Sequence, residues 1–567
     1  MSETKNKRVK GSEALMMSLL KEGVETIFGY PGGQIMPVYD ALFDYKDQLR
    51  HILTRHEQGA VHAAQGYARV TGKVGVCFTT SGPGATNIVT GLADAMMDST
   101  PIVCIAGQVP TGLLGTNAFQ ETDVIGISMP VTKWNYQISS PEEITEAVAK
   151  AFFIASSGRP GPVLLDLTRT AQIGEVDFHY KKCNSIRSYI PKPPVDESQV
   201  YAAALAINEA KKPFALVGQG ALLGNAWEEL RAFIDKSGIP FGWTILGSTA
   251  MPYDHPMNMG MLGMHGNYAA NINTNECDLL IAIGMRFDDR VTGLLSSYAK
   301  QARIIHLEID MAEINKNVKV ELPVLGDLKD TLPILTKQVS KKSYPEWIGK
   351  FKELHKVEEE KVIQKDLHPT KPGITMGEVI RVINEKSGGD LIYCTDVGQN
   401  QMFASRYCRP KTPRSFVTSG GLGTMGFGIP SAMGAKVARP DKEVVLFVGD
   451  GGIQMTIQEF ATMIQYDIPV KIVLLNNHFL GMVRQWQELF WNKKYSETPM
   501  YNPDFVKIAQ AYGFDTEKVD ERGQIDGAVQ KMLKSKKPFL LEVNVEKEDN
   551  VFPMVPPGAA INNVLLG

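Results

Sequence analysis

Short apolar runs recur along the chain, each followed by a glycine-rich loop and then a helical stretch. Glu25-Thr26-Ile27-Phe28, Val74 to Thr79, Ile102 to Ala106 and Val163 to Leu167 read as strands in the first part. Phe214-Ala215-Leu216-Val217, Leu279 to Ile283 and Ile304 to Ile309 continue the pattern, and Asp390 to Cys394, Val444 to Val448 and Ile472 to Leu475 close it. This alternation predicts parallel sheets covered by helices. The expected fold is α/β in three domains, residues 9–172, 198–338 and 373–567, each with a mostly parallel sheet flanked by helices. Between them, Ala171 to Glu197 is polar with a Pro191-Lys192-Pro193-Pro194 stretch, which predicts an extended tether. Ser340 to Pro372 carries four glutamates and four lysines between Lys352 and Lys365, and reads as a partly helical surface connection.

The most informative stretch runs from residue 444 to 477. An apolar strand ends in Gly449-Asp450-Gly451-Gly452, and a second ends in Asn476-Asn477. Thr456 and Glu459 have the T-x-x-E spacing of a capping box, and Ile457, Phe460, Ala461 and Ile464 then repeat with helical period. This βαβ unit puts Asp450 and Asn477 at the carboxyl ends of neighbouring strands, where ligands gather in open α/β sheets. Both are hard oxygen donors, and Mg²⁺ takes one or two such groups while keeping phosphate oxygens and water. The expected ligand is a metal-bridged diphosphate. Gly-Asp-Gly alone is more often a plain turn; the strand, helix, second strand and Asn-Asn in register carry the reading. Two more loops, Thr395 to Gln401 and Ser419 to Gly426, can offer backbone N–H groups to the same diphosphate. The aromatic residues of His478 to Trp491 can wall a pocket beside it.

Composition narrows the function. Lys plus Arg is 59 against 62 Asp plus Glu, a net charge of −3, which leaves no footprint for nucleic acid or an acidic membrane. Six scattered cysteines with no C-x-x-C pair suit a reduced compartment, so a cytoplasmic location is expected. Met1 to Lys10 is polar without an apolar h-region, and no apolar run approaches the length of a membrane span. Four loops of the first domain hold more glycine and polar residues than a scaffold needs: Tyr30 to Gln34, Ser81 to Asn87, Gly107 to Pro110 and Gly115 to Glu121. Glu57 is either a first-turn carboxylate complementing a helix dipole or a functional acid. In the middle domain Gly218-Gln219-Gly220 lacks the third glycine of the dinucleotide fingerprint, so a tight turn explains it equally well. The 260–266 and 284–293 loops strengthen a nucleotide reading, since arginine there can hold phosphate bidentately. His265 has no neighbours to complete a metal set.

Together these residues resemble the thiamine diphosphate enzymes, and along essentially the whole chain they resemble acetohydroxyacid (acetolactate) synthase catalytic subunits of the flavin-containing type. The resemblance implies thiamine diphosphate, Mg²⁺ and FAD as cofactors. It makes Glu57 the carboxylate that activates the aminopyrimidine, with Gly33, Phe119 and Gln120 beside the substrate. It assigns Mg²⁺ to Asp450, Asn477 and the Phe479 carbonyl. Gly398, Gln399, Gly423, Gly449, Gly451, Gly452 and Met482 accompany the diphosphate, and Met425 bends the cofactor. FAD falls to Arg159, Gly218, Gly220, Leu262, Gly263, Met264, His265, Gly284, Arg286, Asp288, Arg290 and Asp327. Arg290 and Trp486 select the second 2-ketoacid. The implied reaction decarboxylates pyruvate and joins the remainder to a second pyruvate or to 2-ketobutyrate, the first common step of branched-chain amino-acid biosynthesis. A homodimer or homotetramer with a small regulatory subunit is implied. The chain departs from the family pattern at Asn400, where many relatives have histidine, at Gly452, where serine is usual, and at Arg169, where lysine is expected. The alternatives are a flavin-free catabolic acetolactate synthase and a pyruvate oxidase. More distant ones are a nicotinamide oxidoreductase and a binding protein without catalysis.

Overall fold

The apolar runs fold into three six-stranded sheets within residues 8–567, the part of the chain that this computed structural model describes. The lysine-rich start, Met1 to Lys7, lies outside the described residues. Every strand pair in the three sheets is parallel. Parallel strands covered on both faces need unbroken apolar sequence, and every residue of Ile102–Gln108, Leu279–Ile283 and Lys471–Asn476 is buried. No helix among the described residues is long and apolar enough to cross a membrane.

Across the first sheet the strands are Arg50–Leu53, Thr26–Gly29, Gly75–Thr79, Ile102–Gln108, Pro162–Thr168 and Trp134–Ile138. Across the last they are Phe416–Val417, Ile392–Thr395, Val444–Gly449, Lys471–Asn476, Phe539–Asn544 and Asp515–Val519. Counted in chain order within each sheet, both read 2-1-3-4-6-5, a shared topology with no matching period in the sequence. The middle sheet runs Asn258–Met261, Phe241–Trp243, Pro213–Val217, Leu279–Ile283, Arg303–Glu308 and Leu322–Leu325, and its order is 3-2-1-4-5-6, that of doubly wound dinucleotide folds. Where such an order reverses, neighbouring strand ends send their loops apart and leave a crevice. That point lies between the first and third strands of the outer sheets, and between the first and fourth of the middle one.

Helices Glu57–Thr71 and Gly428–Ala438 each follow the second strand of an outer sheet, and they pack against each other. A Cβ on Gly66 would stand 2.0 Å from the Ser431 carbonyl oxygen, and one on Gly434 1.9 Å from that of Ala63. Only glycine permits so close a crossing. Val61, Ala64 and Leu92 thus share one core with Ile429, Met433 and Leu446.

Three local expectations change. The stretch expected as a surface connection contains helix Pro345–Glu358, whose Trp347, Ile348 and Phe351 are buried in the middle domain's core. The Trp347 indole N–H donates to the Pro213 carbonyl at 2.9 Å, and Glu358 pairs with Arg406 with both side chains fully buried. The helix is a strut between domains, with Lys352, Glu353 and Lys356 on its exposed side. The tether is pinned as well: Glu175–Asp177 pairs antiparallel with Arg8–Lys10, and the Tyr189 hydroxyl donates to the Ser157 carbonyl at 2.7 Å. Finally, the capping box does not form. Helix Asp450–Thr456 starts at the aspartate itself, and a second helix, Glu459–Gln465, follows. The Thr456 hydroxyl donates to the Gly426 carbonyl at 3.0 Å, and the Glu459 carboxylate accepts from the Arg55 N–H at 2.9 Å. Both side chains have distant partners, which override the local motif.

Candidate functional site

At the switch point of the third domain, helices Gln399–Tyr407 and Gly481–Phe490 and the Asp450–Thr456 helix all begin near one place. A Cβ on Gly398 or Gly449 would face the Asn400 amide nitrogen at 3.7 or 3.3 Å, and one on Gly481 would lie 2.2 Å from Gln399 Oε1 and 2.6 Å from Asn477 Nδ2. Converging helix starts with glycine at the contact points form an anion cradle. Asn400 Oδ1 is buried there without a hydrogen-bond partner.

Asp450 is 2% exposed, and its Oδ2 accepts from the Asn502 amide at 2.7 Å. Burial pushes its carboxyl up from the ordinary value, partly offset by that hydrogen bond, and a cation beside it would reverse the effect. Asn477 donates through Nδ2 to Gln399 Oε1 at 3.1 Å and accepts the Phe479 N–H on Oδ1 at 3.2 Å. Its amide oxygen is thereby turned toward the Phe479 loop. A carboxylate, an amide oxygen and a carbonyl are the hard donors that Mg²⁺ takes, so these residues fit that ion and a diphosphate.

Gly451 and Met425 meet, since a Cβ on Gly451 would be 3.4 Å from Met425 Cε. Gly452 makes room for Asp396: a Cβ there would stand 2.3 Å from Asp396 Oδ1. Asp396 in turn accepts the N–H groups of Val397, Gly426 and Gly428 at 2.8–3.1 Å. This accounts for glycine at position 452.

Glu57 follows the edge strand Arg50–Leu53 of the first domain, and its carboxylate faces Gly84 and Asn87 at that domain's switch point. It opens helix Glu57–Thr71 after His56, whose ring accepts the Gln58 N–H. Glu57 is 9% exposed, and its Oε2 accepts from Asn87 Nδ2 at 2.9 Å. A Cβ on Gly84 would lie 3.4 Å from its Oε1. Gln120 has a φ of +60°, and its backbone packs on Gly82, where a Cβ would be 2.9 Å from the Gln120 oxygen. Gly33 opens the turn Gly33–Ile35 with open space beside its α-carbon. Phe119 is 84% exposed.

A cavity of about 830 Å³ occupies the middle domain's switch point, within the range of cofactor pockets. The Gly218–Gly220 turn crosses the Gly284 loop so closely that a Cβ on Gly218 would meet the Gly284 oxygen at 2.3 Å. Gly220, Leu262, Met264, His265 and Gly284 line the cavity, as do Arg159, Arg286, Asp288, Arg290 and Asp327. Gly263 forms the bend of its loop at φ +107°. Two of the acids serve as helix caps: Asp288 accepts the Arg290 and Val291 N–H groups, and Asp327 that of Lys329. Arg159 donates to Glu313 at 2.7 Å and to Ser99 at 2.9 Å. The Arg290 guanidinium lies 5.9 Å from the Trp486 ring centroid. His265 is buried with Nδ1 unpartnered, and burial lowers its pKa to about 4, which keeps the ring neutral at physiological pH. The glycine crossing, the three arginines and the cavity's volume fit a dinucleotide such as FAD.

The cavity extends to the third domain, where Gly398, Gly423, Met482 and Trp486 also line it. Glu57, Gly33, Phe119 and Gln120 do not line it, nor do Asp450, Asn477 and Phe479. Sequence reasoning missed Asn502, which donates to Asp450, and Glu308, which lines the cavity. An acid closing the apolar run from Ile304 was the available signal for Glu308, and none marked Asn502.

Three family models match in chain order: the N-terminal TPP-binding domain of thiamine pyrophosphate enzymes over residues 9–127, their central domain over 200–335, and their C-terminal TPP-binding domain over 396–543. The chain is 45% identical to a probable acetolactate synthase large subunit of Methanocaldococcus jannaschii, covering 98% of this chain and 95% of that protein. It is 43% identical to the acetolactate synthase isozyme 2 large subunit of Escherichia coli, over 98% and 99% of the two chains. Against the acetolactate synthase large subunit of Corynebacterium glutamicum the identity is 44%, over 98% and 90%. With a site at each switch point and this likeness along its length, the chain belongs to the acetolactate synthase large-subunit family of thiamine pyrophosphate enzymes.

Proposed function

We propose that the chain catalyses acetolactate synthesis with thiamine diphosphate, Mg²⁺ and FAD bound. It joins the two-carbon remainder of one pyruvate to a second pyruvate or to 2-ketobutyrate. The observation that carries this reading is the pairing of the two outer switch points, one a diphosphate and metal cradle around Asp450 and the other presenting Glu57. Thiamine diphosphate supplies the carbon nucleophile and the electron sink that decarboxylation requires. Asp450, Asn477 and the Phe479 carbonyl would hold the metal, and the helix starts at Gln399 and Gly481 would offer backbone N–H groups to the diphosphate. Glu57, oriented by Asn87, would exchange a proton with a ring nitrogen of the aminopyrimidine and so favour the imino tautomer, whose exocyclic nitrogen takes the proton from the reactive carbon.

Arg290, against Trp486, offers a guanidinium to the carboxylate of the second 2-ketoacid, and Trp486 with Met482 keeps water from that side. Gly33, Phe119 and Gln120 complete the substrate side from the first domain. The reaction is redox-neutral, so FAD serves as a structural element between domains. Phe119 is exposed and Glu57 lies apart from the cavity in a single chain, which supports a homodimer or homotetramer in which first and third domains of different subunits meet. A small regulatory subunit follows from the large-subunit names of the relatives. A cytoplasmic setting agrees with six unpaired cysteines and a cofactor set common to cytoplasmic metabolism.

The test is an acetolactate assay with each cofactor omitted in turn. Loss of activity without thiamine diphosphate or Mg²⁺, with the flavin oxidised throughout turnover, is expected. Stoichiometric flavin reduction by pyruvate would instead establish an oxidase.

A further inference from the structure

The duplicated topology has a side-chain counterpart at the seam between the outer domains. Helices Val89–Met97 and Glu459–Gln465 both follow the third strand of their sheets. Each sends carboxylates across the seam onto the loop that precedes the other domain's glycine-crossed helix.

From the first domain, Asp98 accepts the Gly420 N–H at 2.9 Å and the Gly421 N–H at 2.7 Å. Asp94 accepts the hydroxyls of Ser419 and of Thr424, the latter at 2.8 Å. Arg69 joins Asp98 at 2.8 Å and donates to the Thr418 carbonyl at 2.7 Å. The loop so held, Thr418 to Thr424, leads directly into Met425 and lines the cavity through Gly423. From the third domain, the Glu459 carboxylate accepts the Arg55 N–H at 2.9 Å and the Thr462 hydroxyl at 2.7 Å. The Thr462 hydroxyl oxygen also lies 3.2 Å from the Leu53 carbonyl, and the Leu53 N–H donates to the Tyr466 hydroxyl at 3.1 Å. This segment leads directly into Glu57.

Asp94, Asp98 and Glu459 are all 0% exposed. Buried carboxylates are costly unless hydrogen-bonded, and the mechanism uses none of the three. Glycine loops have little internal order, so their conformation depends on such external partners.

We propose that these carboxylates form a reciprocal clasp of positioning residues, in which Asp94 and Asp98 set the loop that delivers Met425 and Glu459 sets the segment that delivers Glu57. The proposal rests on the thiamine diphosphate reading of the two switch points, and not on which product is released. One consequence is that the third domain of a chain orders the catalytic carboxylate of its own first domain. If that carboxylate serves a neighbouring subunit, the clasp joins two active sites through one chain.

The experiment is hydrogen exchange by mass spectrometry on the full chain with cofactors, comparing Asp98→Ala, Thr424→Val and Glu459→Ala with the parent. Asp98→Ala and Thr424→Val are expected to speed exchange at residues 418–426 by about tenfold while leaving 53–58 unchanged, and Glu459→Ala to do the reverse. The thiamine diphosphate concentration for half-maximal pyruvate consumption should rise about tenfold in the first pair. Glu459→Ala should lower kcat about tenfold, with KM for pyruvate little changed, as a misplaced catalytic group does. Glu459→Gln, which keeps an oxygen for the Arg55 N–H, should recover most of that loss. Uniform acceleration of exchange, or an unchanged loop opposite the substitution, overturns the clasp. Pyruvate consumption without acetolactate would overturn the proposed function and leave the clasp standing.

Discussion

Among single residues, Glu57 carries the sharpest expectation. Glu57→Gln keeps a hydrogen bond from Asn87 but removes the acid–base group, and turnover should fall by about two to four powers of ten with folding retained. Steady-state kinetics with a thermal melt checks both parts. Asp450→Ala should raise the Mg²⁺ concentration for half-maximal activity by at least about tenfold, as loss of a ligand or its support does. A magnesium titration reads this, and an unchanged midpoint would remove Asp450 from the metal set.

Glu308 offers a pH test. Burial raises its carboxyl from the ordinary 4.5 to about 7, against opposing N–H bonds from Asp310 and Ile309. A carboxyl whose folded value is raised favours the folded state fully below the unfolded value, and that contribution is lost as pH rises through the folded value. The flavin-free protein should therefore lose stability between pH 4.5 and about 7, and Glu308→Gln should flatten that slope in melts taken across the range.

The placement of Glu57, Asp450 and Asn477 at strand and helix ends was legible in the sequence because each stands in a short motif. Asn502, Asp94 and Asp98 were not, because their meaning lies in partners from other segments that no local pattern announces.

At the level of elements, the strands were the most legible, since parallel buried strands are continuous apolar runs. Helix ends were less so. Thr456 and Glu459 have capping-box spacing, yet Thr456 bonds to the distant Gly426 loop of its own domain and Glu459 to Arg55 of the first domain, and these partners outweigh a local cap. Helix Pro345–Glu358 departs from a plain surface connection for a related reason: its charges dominate the composition, while Trp347, Ile348 and Phe351 on one face decide where it packs. The glycine crossing gives the prediction at this scale. Gly434→Val would drive a side chain into the Ala63 carbonyl, and overpacking of this kind costs about 1–3 kcal/mol or more. Denaturant unfolding should show that loss, and the same change at exposed Gly523, which has open space beside it, should not.

For the molecule as a whole, the middle-domain cavity draws its lining from all three domains, with Arg159 from the first, Arg286 from the second and Gly423 from the third. A ligand bound only by the assembled state stabilises it by mass action. With FAD as the proposed occupant, its removal should lower the melting midpoint of the entire chain, and adding FAD back should restore it in a concentration-dependent manner. An unchanged midpoint would confine the flavin's influence to the middle domain. The domain order was visible in the sequence, whereas the repeated strand order of the outer domains was not, because the two halves share topology without a readable sequence period.

The close meeting of Gly66 and Gly434 also bears on how the protein is made. Ribosomes add about 5–20 residues per second, so helix Glu57–Thr71 emerges on the order of tens of seconds before the helix that covers it. During that interval its glycine-notched face has no cover from its own chain. The nascent first domain is therefore a natural client for chaperones, and truncation anywhere before residue 428 would leave that face permanently bare.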